Sequence, residues 1–326
     1  MKVYDLTILY PKVLLKRWKS QNTNTVVPVK KYYLFPFADS IWFSKIFKYL
    51  TYQMAVYDIS KYEMIWISYP TQMQQSFNKY QGFIIYDCMD NYVAMIDDSK
   101  KIGKLQLYEQ QLVNRANIIL VSSEYLMRYL SDKYGAKNIV VIRNAVDINI
   151  ISKPKLFTIK SQYDLAYIGT IAEWMDFELL NKTQNNQIHY HMIGPKIISE
   201  VDLGNIEFHG VVEHNKLNKY IEDMDCLIMP FILNDIVRAV DPVKLYEYIS
   251  FGKCIISIYY EELERFDKYV YFYKDEREYI KLLDELTRVG FPAKYNSREQ
   301  QEFLANNTWE KRVENIVDSV ESRRNK

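Results

Sequence analysis

The chain reads as an α/β protein of two domains, each a parallel sheet flanked by helices, and three observations predict this. Short apolar runs alternate with helical periodicity along most of the chain. A polar, irregular stretch near 147–163 interrupts the alternation once, and the pattern then restarts. The length, 326 residues, is long for one core and comfortable for two of about 150 residues each.

In the first half the strand-like runs are 4–9, 31–35, 64–68, 83–87, 117–121 and 138–142, with helical patterns at 104–116 and 123–133. The first 60 residues give the weakest periodicity. The irregular stretch contains Pro154 and several lysines, and the expected boundaries are a first domain 1–150, a linker 151–163, a second domain 164–305 and a closing helical segment 306–326. In the second half the strand-like runs are 164–169, 188–194, 205–210, 226–230, 254–257 and 270–273, with helical patterns at 174–182, 214–222 and 242–251. Three of these runs end in Gly169, Gly194 and Gly210. Glycine at the carboxyl end of a parallel strand either turns the chain or lets backbone approach a ligand.

Composition excludes several classes. Hydrophobic content of 48% with 25% charge describes a globular chain rather than a disordered or fibrous one. Cys88, Cys226 and Cys254 share no short spacing, so no zinc site is expected, and the last two sit in apolar runs as buried thiols of a reducing compartment. No run approaches the roughly 18 apolar residues of a membrane span, and the first residues lack a basic-then-apolar leader pattern, so a cytoplasmic protein is expected. No Gly-x-Gly-x-x-Gly follows a strand, which disfavours a dinucleotide-dependent oxidoreductase. Residues 1–150 carry 19 Lys/Arg against 12 Asp/Glu and the remainder 23 against 29, as expected of two domains with different partners or of chance surface scatter.

The richest segment runs from Arg238 to Lys253. Asp241 followed by Pro242 reads as an N-cap and first helical residue, and Gly252 as the stop. The exposed N–H groups and partial positive charge of such a helix start suit a diphosphate. Lys244 adds a full charge in the first turn, and Glu247, one turn further on the same face, is placed to accept hydrogen bonds from ribose hydroxyls. A capped helix with a surface Lys–Glu pair fits the same residues.

This segment resembles the donor-binding helix of GT-B glycosyltransferases, especially bacterial teichuronic-acid and capsular polysaccharide enzymes of the family 4/1-like type. Their pattern is Asn/Asp-Pro-x-Lys-x-x-Glu-Tyr, then small residues, Gly-Lys and a strand. Further matches are Tyr167-Ile168-Gly169-Thr170 with Trp174-Met175-Asp176-Phe177, the run 205–210 with Val211 and Val212, and Asn307-Thr308-Trp309-Glu310-Lys311-Arg312. Arg115-Ala116-Asn117, Val121-Ser122-Ser123 and Arg143-Asn144-Ala145-Val146-Asp147 match within 109–147. The resemblance covers roughly residues 60 to 320, and the order and spacing of the motifs carry it.

It implies two Rossmann-like domains, with the C-terminal helix crossing back to the first. It also implies a hexosyltransferase of bacterial cell-envelope polysaccharide or capsule biosynthesis, retaining and metal-independent. The partners would be a nucleotide-diphosphate sugar and a glycan or lipid-linked acceptor, with no cofactor and no nucleic acid. Glu247 would hold the ribose, Lys244 and the helix start (Asp241, Pro242, Leu245) the diphosphate, and Arg238 the charge on the leaving group. Gly169, Thr170 and Gly194 would admit the phosphates, and Val211 would face the base. Asp87 and Asp90, after the run 83–87, are candidates to orient or deprotonate an acceptor hydroxyl; Asp90 is equally a candidate helix cap.

Departures from the pattern are specific. Ala239 stands where the retaining family with paired glutamates has its other Glu, eight positions before Glu247. The stretch 170–177 lacks the usual Arg and Lys, and no glycine precedes Gly82. His189, His191, His209 and His214 all fall in the second half, leaving none as a first-domain base. Asp223-Met224-Asp225 precedes a strand, the wrong end for a metal pair. The missing glutamate at 239 and the shortened N-terminal region keep open an inactive homologue acting as a scaffold in a transferase complex; a sugar-nucleotide epimerase shares the fold but would need acid and base residues in the first domain beyond Asp87 and Asp90. The stretch 40–50, with Trp42, Phe43, Lys45, Phe47 and Lys48, reads either as a core-facing helix or as one lying peripherally on the inner membrane leaflet.

Overall fold

A computed structural model describes residues 3–5, 29–31, 62–72, 80–147, 152, 154, 159–198, 204–213 and 216–325. The candidate amphipathic stretch 40–50, most of the first two expected strands and part of the linker lie outside the described residues. Among the described residues, no helix is long and apolar enough to cross a membrane.

Strands β1 (Val3–Asp5) and β2 (Val29–Lys31) form a parallel pair. A four-stranded sheet follows in sequence order: β3 (Met64–Ile67), β4 (Phe83–Cys88), β5 (Ile118–Val121) and β6 (Ile139–Val141). Its helices are α1 (Ser99–Arg115), opened by Asp98 accepting from the Lys100 and Lys101 N–H groups, and α2 (Glu124–Tyr134), opened by Ser123.

The second sheet has six parallel strands, β7 (Tyr163–Ile168), β8 (Ile188–Ile193), β9 (Glu207–Gly210), β10 (Cys226–Met229), β11 (Cys254–Ile258) and β12 (Tyr271–Tyr273). Their order is β12-β11-β10-β7-β8-β9. The chain starts in the middle at β7, winds outward to β9, then returns to the other side of β7 with β10. The order therefore reverses between β7 and β10, where doubly wound sheets open a crevice at the carboxyl ends of their strands.

The four inner strands β7, β8, β10 and β11 are almost wholly buried, as a sheet covered on both faces requires, whereas the edge strands β9 and β12 are largely exposed or half-buried. On one face Ala166, Ile168, Leu227, Met229 and Ile255 share a core with α4 (Leu217–Asp223), α6 (Val243–Ser250) and α8 (Ser297–Asn306). On the other, Leu165, Tyr167, Ile228 and Ile256, with the buried thiols of Cys226 and Cys254, pack against α3 (Phe177–Thr183) and α7 (Glu276–Val289). The remaining helices are the short α5 (Asp235–Ala239) and the closing α9 (Trp309–Arg324). The helix expected at 174–182 starts at Phe177 because Asp176 accepts the Leu179 N–H at 2.9 Å and acts as its cap.

The chain divides into two compact units: 1–88 with 98–119 and 136–138, and 89–97 with 120–135 and 139–326. Residues 120–135 and 139–147, which the sequence places before the linker, group with the second unit. Polar contacts to segments far along the chain hold them there. Within that unit, α9 begins beside a parallel bridge between Val146 and Thr308. The Arg312 guanidinium, nearly buried, donates to the carbonyls of Arg143 and Asn144 at 3.0 and 3.1 Å.

Candidate functional site

The crevice at the carboxyl end of β7 is built by glycine, tyrosine and the start of α6. Gly169 and Gly194 have φ of 155° and 145°, values costly for any residue with a Cβ. A Cβ on Gly194 would sit 2.0 Å from the Gly169 carbonyl oxygen, so the ends of β7 and β8 approach more closely than side chains permit. Gly210 continues the sequence, its carbonyl accepting the Gly194 N–H at 2.8 Å. Beside β7 the pairing with β10 runs only through Leu165 and Ala166. Past that point the buried Tyr248 hydroxyl enters: it accepts the Ile168 N–H at 2.9 Å and reaches the Ile228 carbonyl at 3.4 Å. Tyr248 thereby fixes α6 to the parting strands.

On α6, the Lys244 ammonium and the Glu247 carboxylate pair at 2.8 Å, their side chains 34% and 21% exposed. The Lys244 stem lies over Gly169, its Cε 3.4 Å from where a Cβ would stand. The structure thus brings together Gly169, Gly194, Lys244 and Glu247. Thr170 adjoins them, its carbonyl accepting the Tyr167 hydroxyl at 3.1 Å. Val211, just past β9, is 76% exposed and free to meet a ligand.

Other expected contacts are corrected. Pro242, not Asp241, is the N-cap of α6, and no side chain caps this helix. Asp241 is fully buried and turned away. Its carboxylate takes the Arg265 guanidinium, the Tyr246 hydroxyl at 3.0 Å and the Asn144 N–H at 2.6 Å, which leaves it no role at a ligand. Leu245 is likewise fully buried in the core, as its position between two faces of the helix demands. Arg238 lies on α5 and pairs with Glu261 at 3.1 Å; the structure does not join it to the Lys244–Glu247 pair. The buried Ala239 offers only its carbonyl, which accepts the Ser123 hydroxyl at 2.7 Å.

The sequence reading missed the network around Asp241. Glu262, almost fully buried, accepts from Arg143, from Arg265 at 3.0 Å and from the Glu124 N–H at 2.8 Å. Arg143, Glu262, Arg265 and Asp241 therefore alternate in sign. Together they clamp the segment after β6, the start of α2, the turn Glu261–Phe266 and the start of α6. Burial, and then the neighbouring Arg265, hold the Arg143 pKa below its ordinary value. Burial, with Asp241 adding to it, pushes the Tyr246 phenol up to about 12. The one sequence signal was the Arg143-Asn144 pair within a matched motif, and it gave no partner.

Asp87, the second-last residue of β4, accepts the Trp66 indole N–H at 3.1 Å. Burial raises its pKa, partly offset by that hydrogen bond. Burial also raises the pKa of Asp90, which lies in the 89–97 loop of the other unit. A turn at 92–95, not a helix, follows Asp90. Asp225 serves the fold: its carboxylate accepts the Asp164 N–H at 3.1 Å and Lys160 at 2.5 Å.

The chain has the GT-B fold, and solved structures of this fold align along nearly the whole chain. The Anabaena protein HepE, crystallised with UDP and glucose, aligns with a TM-score of 0.65 over 95% of this chain and 89% of its own, at 12% identity. The lipopolysaccharide outer core galactosyltransferase WaaB aligns at 0.62 over 99% and 100%, at 13% identity. Residues 177–318, which include α6, match the family described as glycosyl transferase-like. The Bacillus subtilis (strain 168) protein TuaH, named as a teichuronic acid biosynthesis glycosyltransferase, is 25% identical over 214 residues, 58% of this chain. The chain spans 54% of that relative's length.

Proposed function

We propose that this chain is a glycosyltransferase of bacterial surface polysaccharide assembly. It moves a hexosyl group from a nucleoside-diphosphate sugar to a glycan or lipid-linked acceptor hydroxyl, with retention of anomeric configuration. The carrying observation is the Lys244–Glu247 pair at the switch-point crevice, with the Lys244 stem laid over Gly169. A diphosphate arriving at the start of α6 meets the positive end of the helix and the Lys244 ammonium. It draws Lys244 away from Glu247, whose freed carboxylate then takes the ribose hydroxyls. The glycine backbones at 169 and 194 leave room for the phosphates, and Val211 lies against the base.

As the glycosidic bond lengthens, negative charge grows on the departing diphosphate. Fixed dipoles and the ammonium stabilise that charge. These groups supply the electrostatic work without a catalytic metal or cofactor. Asp87 or Asp90, with pKa values lifted by burial, is suited to accept the acceptor proton.

The test is calorimetric titration with uridine, guanosine and thymidine diphosphates, followed by turnover with the matching donor sugar and product anomer assignment by NMR. One diphosphate should bind, and its release should depend on acceptor. Failure of all three to bind, or binding undiminished in Lys244→Ala, overturns the reading.

A further inference from the structure

Outside this site, β8 and β9 bring together three metal-ligating side chains. His191 on β8 lies opposite Glu207 on β9, and His209 follows Glu207 on the same face. The register slips by one residue between Met192 and Ile193, so that Ile193 pairs with Gly210. A bulge of this kind re-aims the neighbouring side chain. The result is that His191 Nδ1 and His209 Nε2 stand 3.0 Å apart. The Glu207 carboxylate reaches the two nitrogens at 3.5 and 3.8 Å. Behind His191, its Nε2–H donates to the Asp164 carboxylate at 3.0 Å, which leaves the lone pair on Nδ1, facing His209.

We propose that His191, His209 and Glu207 bind one zinc-type divalent cation, with Asp164 orienting His191 from behind. Four-coordinate zinc with bonds of about 2.0–2.1 Å keeps its ligand atoms about 3.3 Å apart, a spacing the three side chains nearly have. Without the cation, one proton between the two facing nitrogens would join the imidazoles. The cation takes that place when the nitrogens spread by a few tenths of an ångström and His209 carries its proton on Nδ1. An imidazole backed by a carboxylate is the usual second partner of a zinc-bound histidine. Two nitrogens and one carboxylate favour zinc over magnesium, which prefers oxygen. Glu207, 63% exposed, leaves one side of the ion open to water. The ion would pin the edge strand β9 to β8. The two histidines lie 18 residues apart on different strands, so no sequence spacing announces them. The inference does not depend on the proposed transferase activity.

The test is titration of chelator-stripped, full-length protein with zinc chloride in a calorimeter, with magnesium chloride in parallel. Zinc should bind once per chain with a dissociation constant on the order of 1 µM or tighter, and should raise the melting temperature. Magnesium should give no saturable heat. Glu207→Gln and His209→Gln should each weaken zinc binding at least about tenfold, and Asp164→Asn about 10–100-fold. His189→Gln, one pleat away on the same strand, should leave it unchanged. The proposal fails if zinc does not saturate near one per chain, if magnesium binds equally, if His209→Gln binds as tightly as the parent, or if His189→Gln loses binding to the same degree. Glu207 is exposed, so its variant keeps the test valid should a buried histidine variant not fold.

Discussion

Lys244 and Glu247 occupy each other at 2.8 Å, so binding a donor means exchanging one set of partners for another. The two residues then report on different parts of the ligand. Glu247→Gln should weaken a nucleoside diphosphate about tenfold while leaving inorganic pyrophosphate unchanged or bound more tightly, because the competing carboxylate charge is gone. Calorimetry with both ligands reads this split. Asp87 bears on pH. A base must be ionised, and burial lifts this carboxyl above its ordinary range, so turnover should fall as pH drops through that raised value. The acid limb of the pH–rate profile should therefore lie above the range of an ordinary carboxylate, and Asp87→Asn should abolish most of the rate across the range. A limb unmoved in Asp90→Asn and absent in Asp87→Asn assigns the base; the reverse pattern assigns it to Asp90.

Elements place these residues, and α6 shows how. Asp-Pro in the sequence marks a helix start, and a helix does start there, one residue later than the capping rule suggests. The rule weighs only local hydrogen bonds, and Asp241 had stronger offers from Arg265, Tyr246 and Asn144, the last 97 residues away in the chain. Asp241→Asn keeps the shape but removes the charge that Arg265 faces, and should destabilise the chain by about 3–5 kcal/mol. Urea denaturation followed by circular dichroism measures this. Tyr248→Phe is a milder probe of the same element. It strips the partner from the buried Ile168 N–H, at about 1–3 kcal/mol, and loosens the tie between α6 and β7, so donor affinity should fall even at saturating stability.

For the whole molecule, much of the architecture was legible because it follows from period. Apolar runs ending in Gly169, Gly194 and Gly210 marked three strands of one sheet, and the alternation with helices marked it as parallel and covered. Lys244 and Glu247 were legible because three residues along a helix fix a face. Long-range partners were not. The meeting of Arg143 with Glu262 spans 119 residues, and the closing of His191 on His209 depends on a bulge that leaves no sequence mark. Leu245 shows the same limit: its place in the helix start was legible, but only the packing of α6 on the sheet shows that its side chain turns into the core.

The Arg143–Glu262–Arg265–Asp241 chain also governs where the polypeptide tolerates being cut. A recombinant piece starting at residue 159 would contain the entire six-stranded sheet and look self-sufficient. It would nevertheless strand Asp241 without the Asn144 amide and Glu262 without its Arg143 counterion, both in the dry interior. Such a piece should melt well below the intact protein, with carboxyl burial now opposing its folding. Starting instead at residue 120 restores both arms of the clasp, so scanning calorimetry of the two pieces should rank the longer one clearly higher.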